Sequence, residues 1–107
     1  MEIKELDVFT LKEMMDSGKD FHLIDVRNPD EFEYCNLNGV LIPMSQIPER
    51  IAEIPRDKMV IVQCHHGGRS RKVVQWLQDA HQFDNLYNLF GGIHAWSIEI
   101  DSNVPIY

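Results

Sequence analysis

Apolar residues recur along this chain in two rhythms, one helical and one extended, and the two alternate. Leu11, Met14 and Met15 follow helical spacing, Thr10-Leu-Lys-Glu13 has the form of a capping box, and Gly18 is a plausible stop. Phe21-His-Leu-Ile-Asp-Val26 reads as a short buried strand. Asn28-Pro29-Asp30-Glu31 then offers a cap, a proline at the first helical position and early acids, predicting a short helix through Phe32 and Tyr34. Gly39 breaks the chain before a second short strand, Val40-Leu-Ile42. Ser45 can cap a further helix with Ile47, Ile51 and Ile54 on one face, Pro48 in its first turn and Pro55 at its end. Met59-Val-Ile-Val-Gln63 is the clearest strand, apolar enough to be buried on both faces. A helix is expected from Arg69 to His81, with Val73, Trp76, Leu77 and Ala80 inward. Leu86 to Phe90 reads as another strand, Gly91-Gly92 as a turn, and Ile93 to Ile100 as a last helix carrying Trp96 in its packing.

This alternation predicts an α/β fold with a central, mostly parallel sheet of about five strands and helices on both faces. Ligands in such sheets sit at the carboxyl ends of the strands. The length of 107 residues fits one domain over 1–107. No apolar run has the roughly 18 residues of a membrane helix. The mixed, charged opening MEIKELDVF is unlike a secretory signal, so a cytoplasmic location is expected. The formal net charge is −7, and no Lys/Arg run offers a basic face to nucleic acid. The one basic cluster, Arg69, Arg71 and Lys72, suits either a local anion site or a solvated helix start.

Two cysteines, Cys35 and Cys64, are too few for a disulfide framework or a four-cysteine zinc site. Cys64 stands at the end of the clearest strand, followed by His65-His66-Gly67-Gly68-Arg69 and a helix start. Gly67 and Gly68 allow positive φ and an inward curl of backbone N–H groups. The helix start adds unpaired amides and the positive end of its dipole, and Arg69 adds a cation. Together these favour a thiolate at Cys64, the nucleophilic form, and would stabilise an anion at the loop's centre. His65 and His66 next to Cys64 raise a metal reading. Adjacent side chains on a curling loop are expected to diverge, and the usual ligand spacings are absent, so no metal is expected.

The segment Cys64-His-His-Gly-Gly-Arg69-Ser resembles the active-site loop of single-domain rhodanese-like sulfurtransferases. Asp25-Val-Arg27-Asn-Pro-Asp-Glu31-Phe resembles that family's Asp-x-Arg signature, followed by Asn38-Gly39-Val and Pro43. Leu89-Phe-Gly-Gly92-Ile-His-Ala-Trp96 resembles its C-terminal signature. The resemblance implies a rhodanese-like fold in which Cys64 accepts sulfane sulfur as a persulfide and passes it on. It implies Cys64 and Arg69 as catalytic residues. The implied substrate contacts are His65, His66, Gly67, Gly68, Ser70 and Arg71, with Asp25 and Arg27 bordering the pocket. Asp25 would bond the loop backbone and Arg27 would face the anion; alternatively the two form a structural ion pair. The donor would be a small sulfur anion such as thiosulfate, or a persulfide. The acceptor would be cyanide, a thiol or a protein. No cofactor is implied, and a monomer or weak dimer is expected. The six-residue loop from Cys64 to Arg69 is the length of the family's sulfurtransferases, whereas its phosphatases and arsenate reductases have seven. A phosphatase, an arsenate reductase and a non-catalytic interaction module are the alternatives. Cys35 is either a resolving thiol or a small buried residue.

Overall fold

The computed structural model describes residues 2–107. In chain order its elements are β1 (Glu5–Leu6), α1 (Val8–Asp16), β2 (His22–Asp25), α2 (Pro29–Tyr34), β3 (Val40–Leu41), two 3-10 helices (Met44–Glu49 and Ile51–Glu53), β4 (Val60–Gln63), α3 (Gly68–His81), β5 (Leu86–Leu89) and α4 (Gly92–Glu99). The five strands form one sheet ordered β1-β5-β4-β2-β3, and every pairing is parallel. The α/β fold read from the alternation is therefore present.

All four residues of β4 are buried, as befits the central strand of a sheet covered on both sides. Successive side chains of a strand point to opposite faces, and this splits the interior into two cores. Val60, Val62 and Cys64 join Val73, Val74 and Leu77 of α3, together with Ile47 and Ile54. Ile61 joins Val8, Leu11 and Met14 of α1, with Ile93 and Trp96 of α4. No helix among the described residues is long and apolar enough to cross a membrane.

Local chemistry moves several boundaries. Helix α1 starts at Val8, because the Asp7 carboxylate accepts from the Thr10 amide at 2.8 Å and caps it. Thr10 is thus inside the helix and is not its cap. Strand β1 has only two residues and is held by edge pairing with β5, which leaves no periodicity to read. The segment after Pro43 forms tight 3-10 turns where an α-helix was expected, with Pro43 and not Ser45 in the capping position. Pro48 has no N–H to give to an i−4 carbonyl, and i→i+3 bonds such as Arg50 N–H to the Ile47 carbonyl (3.1 Å) take over. In α3 the buried stripe is Ser70, Val73, Val74, Leu77 and Gln78. Trp76 and Ala80, expected inward, are exposed, and the Trp76 ring sits edge-on to His81.

Candidate functional site

Parallel register aligns the carboxyl ends of the central strands. Asp25 pairs with Gln63, and Val62 pairs with Asn88. The chain leaving β2, β4 and β5 therefore delivers Arg27, Cys64 and the Gly91-Gly92 turn to one edge of the sheet.

The Cys64 thiol is 1% exposed. Its Sγ accepts from the Gly67 amide at 3.1 Å and the Ser70 amide at 3.4 Å, and lies 3.3 Å from the Ser70 hydroxyl oxygen. Among the described residues, the amides of His65, His66, Gly68 and Arg69 have no acceptor. Gly67 has φ +104°, a left-handed conformation open to glycine, and this bend turns the chain into α3. Gly68 differs from expectation: its φ is ordinary, it is the first residue of α3, and an added Cβ would meet nothing.

The loop is shaped from below by the start of α4. The Ile93 amide donates to the Cys64 carbonyl and the His94 amide to the His65 carbonyl, both at 3.0 Å. Helix-start amides have no partner in their own helix, and here they occupy the loop's carbonyls. Gly92 makes this approach possible. Its φ is +59°, and a Cβ there would collide with the His65 and Cys64 carbonyl oxygens. The second glycine pair is therefore the seat of the cysteine loop as well as a turn.

Ser70 and Asn88 extend the network inward. The buried Ser70 hydroxyl, besides its contact with Sγ, donates to Asn88 Oδ1. Asn88 Nδ2 donates to the Gly67 carbonyl at 3.2 Å and to Glu5 Oε2 at 2.8 Å. Asn88 was missed by sequence reasoning, because a polar residue in an apolar strand carries no periodic signal. Its burial beside Ser70 explains it.

The three arginines of the site are all paired. Arg69 makes a two-pronged bond to Glu31, at 2.7 and 2.9 Å. Glu31 also accepts from the Asn28 amide at 3.1 Å and the Tyr107 hydroxyl at 2.8 Å. The Arg69 hydrogen bonds hold the Glu31 carboxyl down at about 2, from an ordinary 4.5. Arg69 is correspondingly held above its ordinary value, chiefly by Glu31. Glu31 was read only as an early acid of α2, yet Asn28-x-x-Glu31 was the available signal. Arg71 lies on the rim opposite Glu5, at 3.3 Å.

Arg27 and Asp25 do not border an open anion site. Both side chains are 0% exposed and ion-paired at 2.7 Å. Asp25 accepts from the Arg27 amide and guanidinium and from no loop amide. Arg27 also donates to the Cys35 carbonyl at 2.7 Å and the Tyr107 hydroxyl at 2.8 Å. A buried charge needs such partners on every side, and Arg27 spends its donors on them. The pair is a strut tying β2 to the end of α2, the structural alternative.

Tyr107 is a further residue that sequence gave no reason to choose. Its ring stacks on His65, with centroids 3.8 Å apart and planes 1° from parallel. Burial, chiefly, pushes its hydroxyl up to about 12. His65 and His66 do not diverge: their centroids are 3.9 Å apart, and His94 from α4 joins them. Burial, and next the charge of His66, lowers the His65 pKa. Beside the loop a cavity opens, lined by Glu5, His66, Gly67, Gly68, Arg71 and Phe90, among others. Cys35 sits in the opposite core from Cys64, with the sheet between them, and its Sγ lies 3.7 Å from the Pro105 carbonyl. A resolving role for Cys35 has no geometry here.

The model of the Rhodanese-like domain family matches residues 8–99. The chain belongs to that family. A crystal structure of a rhodanese-like domain protein from Staphylococcus aureus superposes on this rhodanese-like domain with a TM-score of 0.81 and 31% identity, covering 98% of this chain and 99% of that one. A sulfurtransferase of Allochromatium vinosum is 33% identical over 96 residues, 89% of each chain. The chloroplastic Rhodanese-like/PpiC domain-containing protein 12 of Arabidopsis thaliana is 39% identical over 90 residues, 79% of this chain. This chain spans 30% of the length of that protein. The sequence resemblance is thus shown, and the Allochromatium vinosum relative, matched over most of both chains, carries the name sulfurtransferase.

Proposed function

We propose that this rhodanese-like domain moves sulfane sulfur as a persulfide on Cys64. The observation that carries the reading is the cradle. Two amides already point at Sγ, the Ser70 hydroxyl oxygen touches it, and four more amides of the same loop have no acceptor. Oriented amides in a buried site stabilise an anion without adding a mobile charge. A persulfide extends the anionic terminus by one sulfur, into the reach of those free amides.

With thiosulfate as donor, the Cys64 thiolate attacks the outer sulfur. A new S–S bond forms, the bond to the sulfonate sulfur breaks, and its electron pair leaves with sulfite. An acceptor nucleophile (cyanide, a thiolate or a protein cysteine) then attacks the outer sulfur of the persulfide. The S–S bond breaks, and its electron pair returns to Cys64. A small-molecule or protein persulfide can replace thiosulfate as donor, with a thiolate as the leaving group. Arg69 fixes the loop through Glu31, and Arg71 stands at the rim paired with Glu5.

Intact mass after incubation with thiosulfate tests the reading. Wild type and Cys35→Ser should each gain one sulfur atom, and Cys64→Ser should gain none. Sulfur uptake by the Cys64→Ser protein at the wild-type level would refute the assignment. Cys64-dependent phosphate release from an aryl phosphate, with no sulfur uptake, would instead favour the phosphatase alternative.

A further inference from the structure

Three imidazoles converge at the mouth of the cysteine loop. His65 and His66 come from the loop itself and His94 from α4, and one nitrogen of each lies within 4.8 Å of the others. The arrangement is fixed by backbone, because the His94 amide holds the His65 carbonyl at 3.0 Å. The His65 ring is further held by its stacking on Tyr107. His65 Nε2 and His94 Nδ1 are buried and have no hydrogen-bond partner among the described residues. An unpaired buried nitrogen is costly, so two in one cluster call for a common partner. A third ring, His66, is exposed and gives an entering ion access.

We propose that His65, His66 and His94 form a site for a divalent transition ion, with Zn2+ the best-matched candidate. Neutral imidazole is a preferred zinc ligand, and three histidines with a fourth position open is an established zinc ligand set. With Zn–N bonds of about 2.0–2.1 Å, tetrahedral nitrogens lie about 3.3 Å apart, so modest ring rotations close the site. A bound ion would cross-link two residues of the cysteine loop to α4 and cover the loop's mouth. It would also offer its open position to the sulfur anion that the loop collects. Zinc therefore acts as a reversible brake on Cys64. The brake rests on the sulfur-transfer reading; the binding site does not.

The test is calorimetric titration of ZnCl2 into metal-free, reduced protein, in buffer without thiols or cyanide. Wild type and Cys64→Ser should each bind one Zn2+ per chain. His94→Gln and His66→Gln should each bind at least about tenfold more weakly, since even an outer-shell partner of a metal-bound histidine is worth that much. His66 is exposed, so His66→Gln carries the test even where His94→Gln loses its fold. No one-to-one binding by folded wild type, or undiminished affinity in His66→Gln, would overturn the site. Binding lost in Cys64→Ser and kept in the histidine variants would do the same. For the brake, sulfur loading from thiosulfate is followed by intact mass with and without equimolar Zn2+, and the ratio of the two rates is read for each protein. Zn2+ should slow wild type and leave the ratio for His66→Gln near one. Loading of zinc-bound wild type at the metal-free rate would overturn the brake. Metal-free wild type that takes up no sulfur would sink the sulfur reading, while the titration still judges the site.

Discussion

Glu31 sets the balance of charge at the mouth of the site. Its two oxygens receive Arg69, the Tyr107 hydroxyl and the Asn28 amide. Its carboxyl is depressed to about 2 from 4.5. A depressed acid stabilises the fold fully above its unfolded pKa, and that contribution is lost as pH falls through the folded value. Glu31→Gln should therefore melt at a lower temperature than wild type at pH 6. The gap between the two should narrow between about pH 4.5 and pH 2, where wild type protonates. Melting curves across that range check it, and a gap that stays constant to pH 2 would count against the ion pair. At this scale Cys64 and the loop that follows it were legible in the sequence, because both are local. The sequence did not reveal Glu31 as the partner of Arg69, Asn88 behind Ser70, or Tyr107 on His65. Each of those contacts joins distant segments, and no local spacing encodes them. The Asp25–Arg27 ion pair was one of two readings the sequence left open, and its complete burial decides for the strut.

Two of the site's elements are joined through a glycine that looked interchangeable with its neighbours. Gly92 lets the start of α4 approach the Cys64 and His65 carbonyls, whereas Gly68 merely begins α3. Gly92→Ala should lower stability by more than about 1 kcal/mol, combining left-handed strain with the clash. It should also slow sulfur loading, because the carbonyls lose their donors. Gly68→Ala should change stability by no more than about 1 kcal/mol, in the favourable direction, since alanine is the better helix former. Chemical denaturation of both variants is the measurement, and equal effects would contradict the contact. Strands β2, β4 and β5 and helices α3 and α4 were legible because their apolar runs are long and bounded by glycine or polar residues. The α1 start was not, because Asp7 and Thr10 are both good caps and the carboxylate won. The 3-10 pair was not, because the isoleucine spacing fits an α-helix and only the missing Pro48 donor decides otherwise.

The molecule as a whole is acidic, with a formal net charge of −7, yet its proposed donor is an anion. The site's arginines do not reverse that field: Arg27, Arg69 and Arg71 each face a carboxylate. Attraction at short range falls to neutral amides, while the long-range field repels. Salt screens that field with a Debye length of about 10 Å at 0.1 M. The second-order rate of sulfur loading by thiosulfate should therefore rise with added KCl, the opposite of electrostatic steering. A rate that falls with salt would show an uncompensated cation at the mouth. The two-core layout was legible from the apolar run of β4, which needs cover on both faces; the seating of the cysteine loop on α4 was not. That seating has a consequence for the order of events on the ribosome. Cys64 is joined to the chain, and reaches the tunnel exit, before Gly92, Ile93 and His94. Until they follow, its loop lacks the donors that hold its carbonyls back, and the amides are not yet gathered around Sγ. Cys64 is made first and its seat is completed last, so a nascent or truncated chain carries the cysteine without the loop geometry proposed to activate it.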